Sequence, residues 1–204
     1  MNYKMGYNLI DWLFGVIASP VKTLREISRE RPVGWAFLVA LGVSVLAIPA
    51  NFYGSEGQRA IEDLGREVDL FIDASFMVIG GLVFVVVSLF IFTGLLHLLA
   101  KLFRGQGGYW NFFSAYCFAE FPMIITVPAT LLGVYLGPAG SILSGLIGLG
   151  ISVWVMVLQV IAVRESYGLS SGASIAAYII HFVILIAIPV TIAVVLVTAL
   201  LFSL

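Results

Sequence analysis

A chain of 204 residues with 61% apolar and 10% charged side chains and a mean hydropathy of +1.12 lies outside soluble globular usage, in which roughly a quarter of residues are charged. A water-solvated fold is excluded, and an all-α, polytopic membrane helical bundle is predicted. The net charge of −1 says little about partners, and the one cysteine, Cys117, rules out an intramolecular disulfide or a cysteine-based zinc site.

Residues 1–32 read as a cytoplasmic amino-terminal segment. Leu9 to Ala18 is a short apolar run ending in small residues, as in a signal peptide, but Asp11 interrupts it and a basic amphipathic helix follows in place of a soluble domain. Ser19 is placed as its N-cap with Pro20 at the first helical position. Val21, Leu24 and Ile27 then share one face, and Lys22, Arg25 and Arg29 another. Such a helix suits the headgroup plane, with its apolar face toward acyl chains and its cations near anionic lipid phosphates. The alternative is a cytoplasmic helix packed on the bundle.

Crossing a hydrocarbon core of about 30 Å takes about 20 apolar residues, and residues 33–204 supply five such runs: 33–52, 74–99, 111–136, 138–163 and 173–203. The third and fourth are divided by a tight hairpin at Gly133, Gly137, Pro138 and Gly140, because one span over 111–163 would be twice the membrane thickness. The loop between the first two runs holds apolar residues at helical spacing, Ile61, Leu64, Val68 and Phe71, which predict a second amphipathic helix.

Cytoplasmic loops carry the excess of Lys and Arg. Lys4, Lys22, Arg25, Arg29, Arg31, Lys101, Arg104 and Arg164 fall on one side of five alternating spans, and Arg59 and Arg66 on the other among six carboxylates. The amino terminus is therefore expected inside and the carboxyl terminus outside. Trp35, Tyr109, Trp110 and Tyr167 match the inner interface, and Tyr53 and Tyr135 the outer one.

Three stretches carry a resemblance. Leu98-Leu99-Ala100-Lys101-Leu102-Phe103-Arg104-Gly105-Gln106-Gly107 running on to Phe118-Ala119-Glu120-Phe121-Pro122, the opening Ala18-Ser19-Pro20, and Trp154 followed by Val163-Arg164-Glu165-Ser166-Tyr167-Gly168-Leu169-Ser170 are together similar to the Ypt-interacting-protein (Yip) family. The resemblance implies a five-helix integral membrane fold with a cytoplasmic amino terminus. Its eukaryotic members associate with small Rab-type GTPases through long amino-terminal regions. About thirty residues precede the first span here, so the chain resembles the short prokaryotic members of the cytoplasmic membrane, and small-GTPase binding is not expected to carry over.

Glu120 is the one charged side chain well inside a span, which makes it a functional candidate by default. At about 1.5 Å per residue from the inner ends of their spans, Glu120 lies roughly 13 Å deep, His181 roughly 12 Å, Gln159 roughly 6 Å and His97 roughly 3 Å. Tyr116 and Tyr178 sit one turn below Glu120 and His181, so a polar cluster opening inward is expected. Pro122 leaves the carbonyl of Phe118 without its helical partner. Two readings stand open: a proton-coupled or gating carboxylate partnered by His181, or a protonated Glu120 joining helices through a freed carbonyl or Gln159. A His-His-Glu metal site lacks ligand spacing on one helix, and no cofactor is implied.

Gly168-Leu169-Ser170-Ser171-Gly172 matches G-x-S-x-G in letters, but a nucleophile elbow needs a preceding strand; Ser170 or Ser171 is instead expected to cap span five. Gly140, Ser144, Gly148 and Ser152 recur every four residues in span four, a face suited to close packing within the bundle or in a homodimer. These features point to a non-enzymatic membrane scaffold or interaction protein. Its expected partners are anionic headgroups at the inner face and a second copy or other membrane proteins, with no nucleic acid. A small permease or channel subunit using the Glu120 pocket is the alternative, and a membrane-embedded enzyme the third reading.

Overall fold

A computed structural model of the protein describes residues 8–53 and 70–202, with side chains over 8–47 and 79–198. The second amphipathic helix expected between spans one and two, with Arg59 and Arg66, lies outside the described side chains. Among the described residues eight α-helices follow one another: α1 (Leu9–Ala18), α2 (Pro20–Glu30), α3 (Val33–Tyr53), α4 (Leu70–Leu102), α5 (Tyr109–Ala119), α6 (Thr126–Tyr135), α7 (Gly137–Tyr167) and α8 (Ser171–Phe202), with a 3₁₀ stretch, Phe121–Ile125, between α5 and α6. The fold is an all-helical membrane bundle, the form in which every backbone donor and acceptor is satisfied without water.

Among the described residues four segments are long and apolar enough to cross a membrane: Ile79–Leu102, Tyr109–Tyr135, Gly137–Tyr167 and Ser171–Thr198. Val33–Ala47 is a shorter apolar stretch of α3, whose 21 residues extend about 31 Å at 1.5 Å per residue.

The helix ends follow local chemistry. Asp11, which looked like an interruption, accepts the Asn8 backbone N–H at 3.2 Å and so satisfies a first-turn donor of α1. Pro20 opens α2, and Arg31 closes it in the left-handed region at φ 53, its N–H bonded to the Ile27 carbonyl. Ser19 forms no side-chain cap of α2, and its hydroxyl lies 3.5 Å from that of Thr23 instead. Ser170 does cap α8, accepting the Ala173 N–H at 3.2 Å. Gly168 is the left-handed C-cap of α7, so the G-x-S-x-G letters lie on a helix end.

The irregularity expected in the span over 111–136 takes a definite form. Pro122 has no N–H to bond the Phe118 carbonyl and Pro128 none for Ile124, and the chain between them tightens into the 3₁₀ stretch. One sequence expectation needs correction: α2 does not lie apolar-face-down on lipid. Leu24 and Ile27 are fully buried, with Val21 exposed, because α2 packs across α5 and α7. Asn111 fixes it further by donating to the Ser28 carbonyl at 2.7 Å. The exposed apolar face belongs to α1, where Ile10, Phe14 and Ile17 fall at helical spacing while Trp12 and Val16 turn inward.

Packing is uneven along the bundle axis. The largest fully buried side chains include Tyr167, Phe112, Phe113, Leu24 and Ile27, all at the end where α2, the start of α5 and the end of α7 meet. There the Gln106 N–H bonds the Tyr167 carbonyl at 3.0 Å, and a Cβ at Gly107 would collide with the Ser166 carbonyl oxygen. Toward the other end, α8 exposes Ile186, Ile188, Val190, Ile192 and Val194 through Val197; in an integral membrane protein such a surface is covered by lipid or by another helix.

The hairpin between α6 and α7 turns at Gly137, with φ +64, a conformation costly for any residue with a Cβ. The small-residue face of α7 divides here. A Cβ on Gly140 would lie 2.9 Å from the Gly133 carbonyl oxygen, whereas one on Gly148 would meet nothing within 4 Å. Overpacking a close contact costs about 1–3 kcal/mol, so Gly140→Leu is expected to lower the thermal stability of the full chain in detergent. Gly148→Leu should stay within about 0.5 kcal/mol of wild type. Equal losses in the two variants would show that α6 and α7 are not in close contact at Gly133.

Candidate functional site

The break after α5 decides where Glu120 points. Ala119 ends the α-helix, and Glu120 serves as the junction to the 3₁₀ stretch, its carbonyl accepting the Met123 N–H at 2.9 Å. Thr126 then donates its hydroxyl to the Met123 carbonyl at 2.6 Å, which closes the 3₁₀ stretch. From this junction the Glu120 carboxyl meets Gln159 of α7, whose Nε2 donates to Oε1 at 3.3 Å. The Tyr178 hydroxyl of α8 in turn donates to Gln159 Oε1. One polar chain thus ties α5, α7 and α8 together, with Gln159 engaged at both ends of its amide.

His181 is buried at the edge of this chain without joining it. Its ring stands edge-on to Phe92 of α4, centroids 5.9 Å apart, and tilted against Tyr178 at 6.3 Å. Its Nδ1 has no hydrogen-bond partner among the described residues. Tyr116 is buried one turn before Glu120. His97, expected in the same cluster, is elsewhere: its Nδ1 pairs with the Tyr167 hydroxyl at 2.5 Å, and its ring packs edge-on to Tyr109, whose hydroxyl lies 2.9 Å from Thr93 Oγ1. The single inward-opening pocket expected from depth is therefore two networks, one of Glu120, Gln159 and Tyr178 and one of His97, Tyr167, Tyr109 and Thr93. Depth along a helix fixes height and leaves azimuth free, which is why the expectation merged them. Among the described residues no three His, Cys, Asp or Glu side chains converge to hold a metal ion.

The basic residues of α2 also part company. Lys22 and Arg29 are exposed, whereas Arg25 donates through Nε to Glu165 Oε2 at 2.6 Å, so one edge of its guanidinium is held by protein. That hydrogen bond, and then the Glu165 charge, raise the Arg25 guanidinium above its ordinary value. Glu165 also takes Arg164 Nε on its other oxygen at 2.8 Å. Sequence reasoning passed over Glu165 because it was counted as a loop charge; its position directly after the one arginine of its turn was the available signal.

The Yip1 domain model matches residues 14–202. The chain belongs to the Yip1 domain family. No curated protein and no solved structure matches it. The family match runs from within α1 to the end of α8, so the Glu120 chain, the His97 network and the α2–Glu165 contact all lie inside the Yip1 domain.

Interhelical hydrogen bonds between membrane helices average about 0.6 kcal/mol and reach about 1.7. Tyr178→Phe is expected to destabilise the full chain within that range, and Glu120→Gln, which still offers Gln159 an acceptor, by less. Thermal unfolding in detergent checks the order. A Glu120→Gln variant losing more than Tyr178→Phe would mean that the ionised carboxylate, and not the hydrogen bond, joins the helices.

Proposed function

We propose that this Yip-family integral membrane protein is a five-span, non-enzymatic scaffold or interaction protein that organises membrane components. The fifth crossing is α3, whose length suits the hydrocarbon thickness. The observation that carries the reading is the Glu120–Gln159–Tyr178 chain. Glu120 Oε1, both ends of the Gln159 amide and the Tyr178 hydroxyl meet one another across three helices, which is how buried polar groups serve assembly.

The orientation proposed is amino terminus inside and carboxyl terminus outside, in the cytoplasmic membrane of a prokaryote. It is supported by the gathering of α2 and the turns at 103–108 and 168–170, which carry or flank Lys22, Arg25, Arg29, Arg104 and Arg164, at one end of the bundle. Partners at that end are anionic lipid headgroups. A second copy or another membrane protein is proposed along the exposed faces of the bundle. Small-GTPase binding forms no part of the proposal.

Orientation is tested in intact cells with an impermeant thiol reagent, after Cys117→Ala and Gln106→Cys. Position 106 should be protected until the membrane is opened, and labelling from outside would reverse the topology. Function is tested by reconstituting wild type and Glu120→Gln in vesicles. Neither is expected to carry protons, common cations or small metabolites, and both should retain the same co-purifying proteins and lipids. A flux present in wild type and lost in Glu120→Gln would replace the scaffold with a permease.

A further inference from the structure

Where α2 crosses the turn between α7 and α8, a cavity of about 450 Å³ is lined by Arg25, Arg29, Arg164, Glu165, Gly168 and Leu169. Three guanidiniums face one carboxylate, so two positive charges remain uncompensated in its wall. Glu165 orients two of the three. Its side chain is 8% exposed, with Arg25 Nε on Oε2 at 2.6 Å and Arg164 Nε and Nη2 on Oε1 at 2.8 and 2.7 Å. Arg164 is held at a third point, Nη1 donating to Ser171 Oγ at 3.3 Å.

The donors left over define what the cavity accepts. Among the described residues neither terminal nitrogen of Arg25 nor any guanidinium nitrogen of Arg29 makes a hydrogen bond. An arginine fork has the spacing of two phosphate oxygens. With its Nε fixed on Glu165, Arg25 keeps its outer edge available without the loss of side-chain freedom that a mobile arginine suffers on binding. Gly168, in the left-handed conformation, forms the floor without a side chain. Glu26 and Glu30 share α2 with these arginines but do not line the cavity.

We infer that this cavity is a phosphate-binding site, with Arg25 and Arg29 as its ligands and the Glu165–Arg164 pair as its frame. The phosphate comes from an anionic phospholipid headgroup at the membrane surface or from a soluble phosphate compound. The site deepens the inner-face lipid reading above by assigning residues to it, and it is independent of the scaffold role.

Isothermal titration of the full chain in a non-ionic detergent with dioctanoyl-phosphatidic acid, dioctanoyl-phosphatidylcholine and inorganic phosphate tests the site. Arg29→Gln leaves the Glu165 frame untouched, and Lys101→Gln removes an exposed cation of the same end that does not line the cavity. Phosphatidic acid is expected to bind more tightly than phosphatidylcholine. Arg29→Gln should weaken it about tenfold, the order expected when one charge-assisted contact is lost, and Lys101→Gln should leave it unchanged. Phosphatidic acid binding more tightly than inorganic phosphate assigns the lipid source; inorganic phosphate binding alone, and lost in Arg29→Gln, assigns the soluble one. Phosphatidic acid binding equally to wild type and Arg29→Gln would overturn the cavity while leaving the lipid reading standing, and binding of neither probe would overturn both.

Discussion

A backbone amide or carbonyl inside hydrocarbon has no water to bond, so each departure from the α-helix within a span must be met by protein. In this chain the departure is the stretch from Glu120 to Thr126. Pro122 and Pro128 make it unavoidable, since neither can donate to the carbonyl four residues earlier. Its surroundings follow from that need: α3 and α7 pack against the 3₁₀ stretch, Thr126 bonds Met123, and Glu120 finds Gln159. A carboxyl group at a helix break, facing an amide on the next helix, is the arrangement that keeps three helices in register at a point where one of them loses its own regularity.

The uneven packing along the axis has a functional corollary. Aromatic and aliphatic side chains as large as Tyr167, Phe112 and Ile27 are fully buried at the basic end, where loops, α1 and α2 close over the helices. At the other end the helices run on with their apolar side chains exposed. A protein closely packed at its basic cap and open along its spans is suited to presenting a fixed polar surface while its helices meet lipid or other helices. The Ile10, Phe14 and Ile17 face of α1 belongs to the same cap, and places an apolar edge beside the arginines of α2.

Much of this was legible in the sequence, and the rest failed for identifiable reasons. Hydrocarbon thickness sets span length, so the long apolar runs announced the helices, and Pro20 and Gly137 marked ends as local chemistry requires. The break in the third span was visible as a proline pair, yet its 3₁₀ form depends on neighbours that cover it. The face of α2 was read correctly as apolar, but its occupant was not: amphipathicity shows that a face must be buried and is silent on whether lipid or Phe112 buries it. His97 and Tyr167 stand 70 residues apart, a pairing that no local spacing encodes. Gly148 has the period of Gly140 but lacks its neighbour, because α6 leaves α7 after the hairpin.

The contrast between the two acidic residues of the domain's polar contacts separates structure from binding. Glu120 meets the Gln159 amide, whose oxygen takes the Tyr178 hydroxyl, and such a contact stabilises by joining helices. Glu165 meets two guanidiniums, so its pairing leaves charge over. Removing a carboxylate from between arginines would let them repel and swing apart, while adding a second would halve the positive charge left over. One carboxylate for three arginines is the ratio that holds the geometry and keeps the field positive. Salt bridges at a water-facing surface contribute little stability, so a clamped pair beside Arg29, whose guanidinium has no partner among the described residues, makes more physical sense as a prepared anion site than as a device for holding α2, which Leu24, Ile27 and Asn111 already secure.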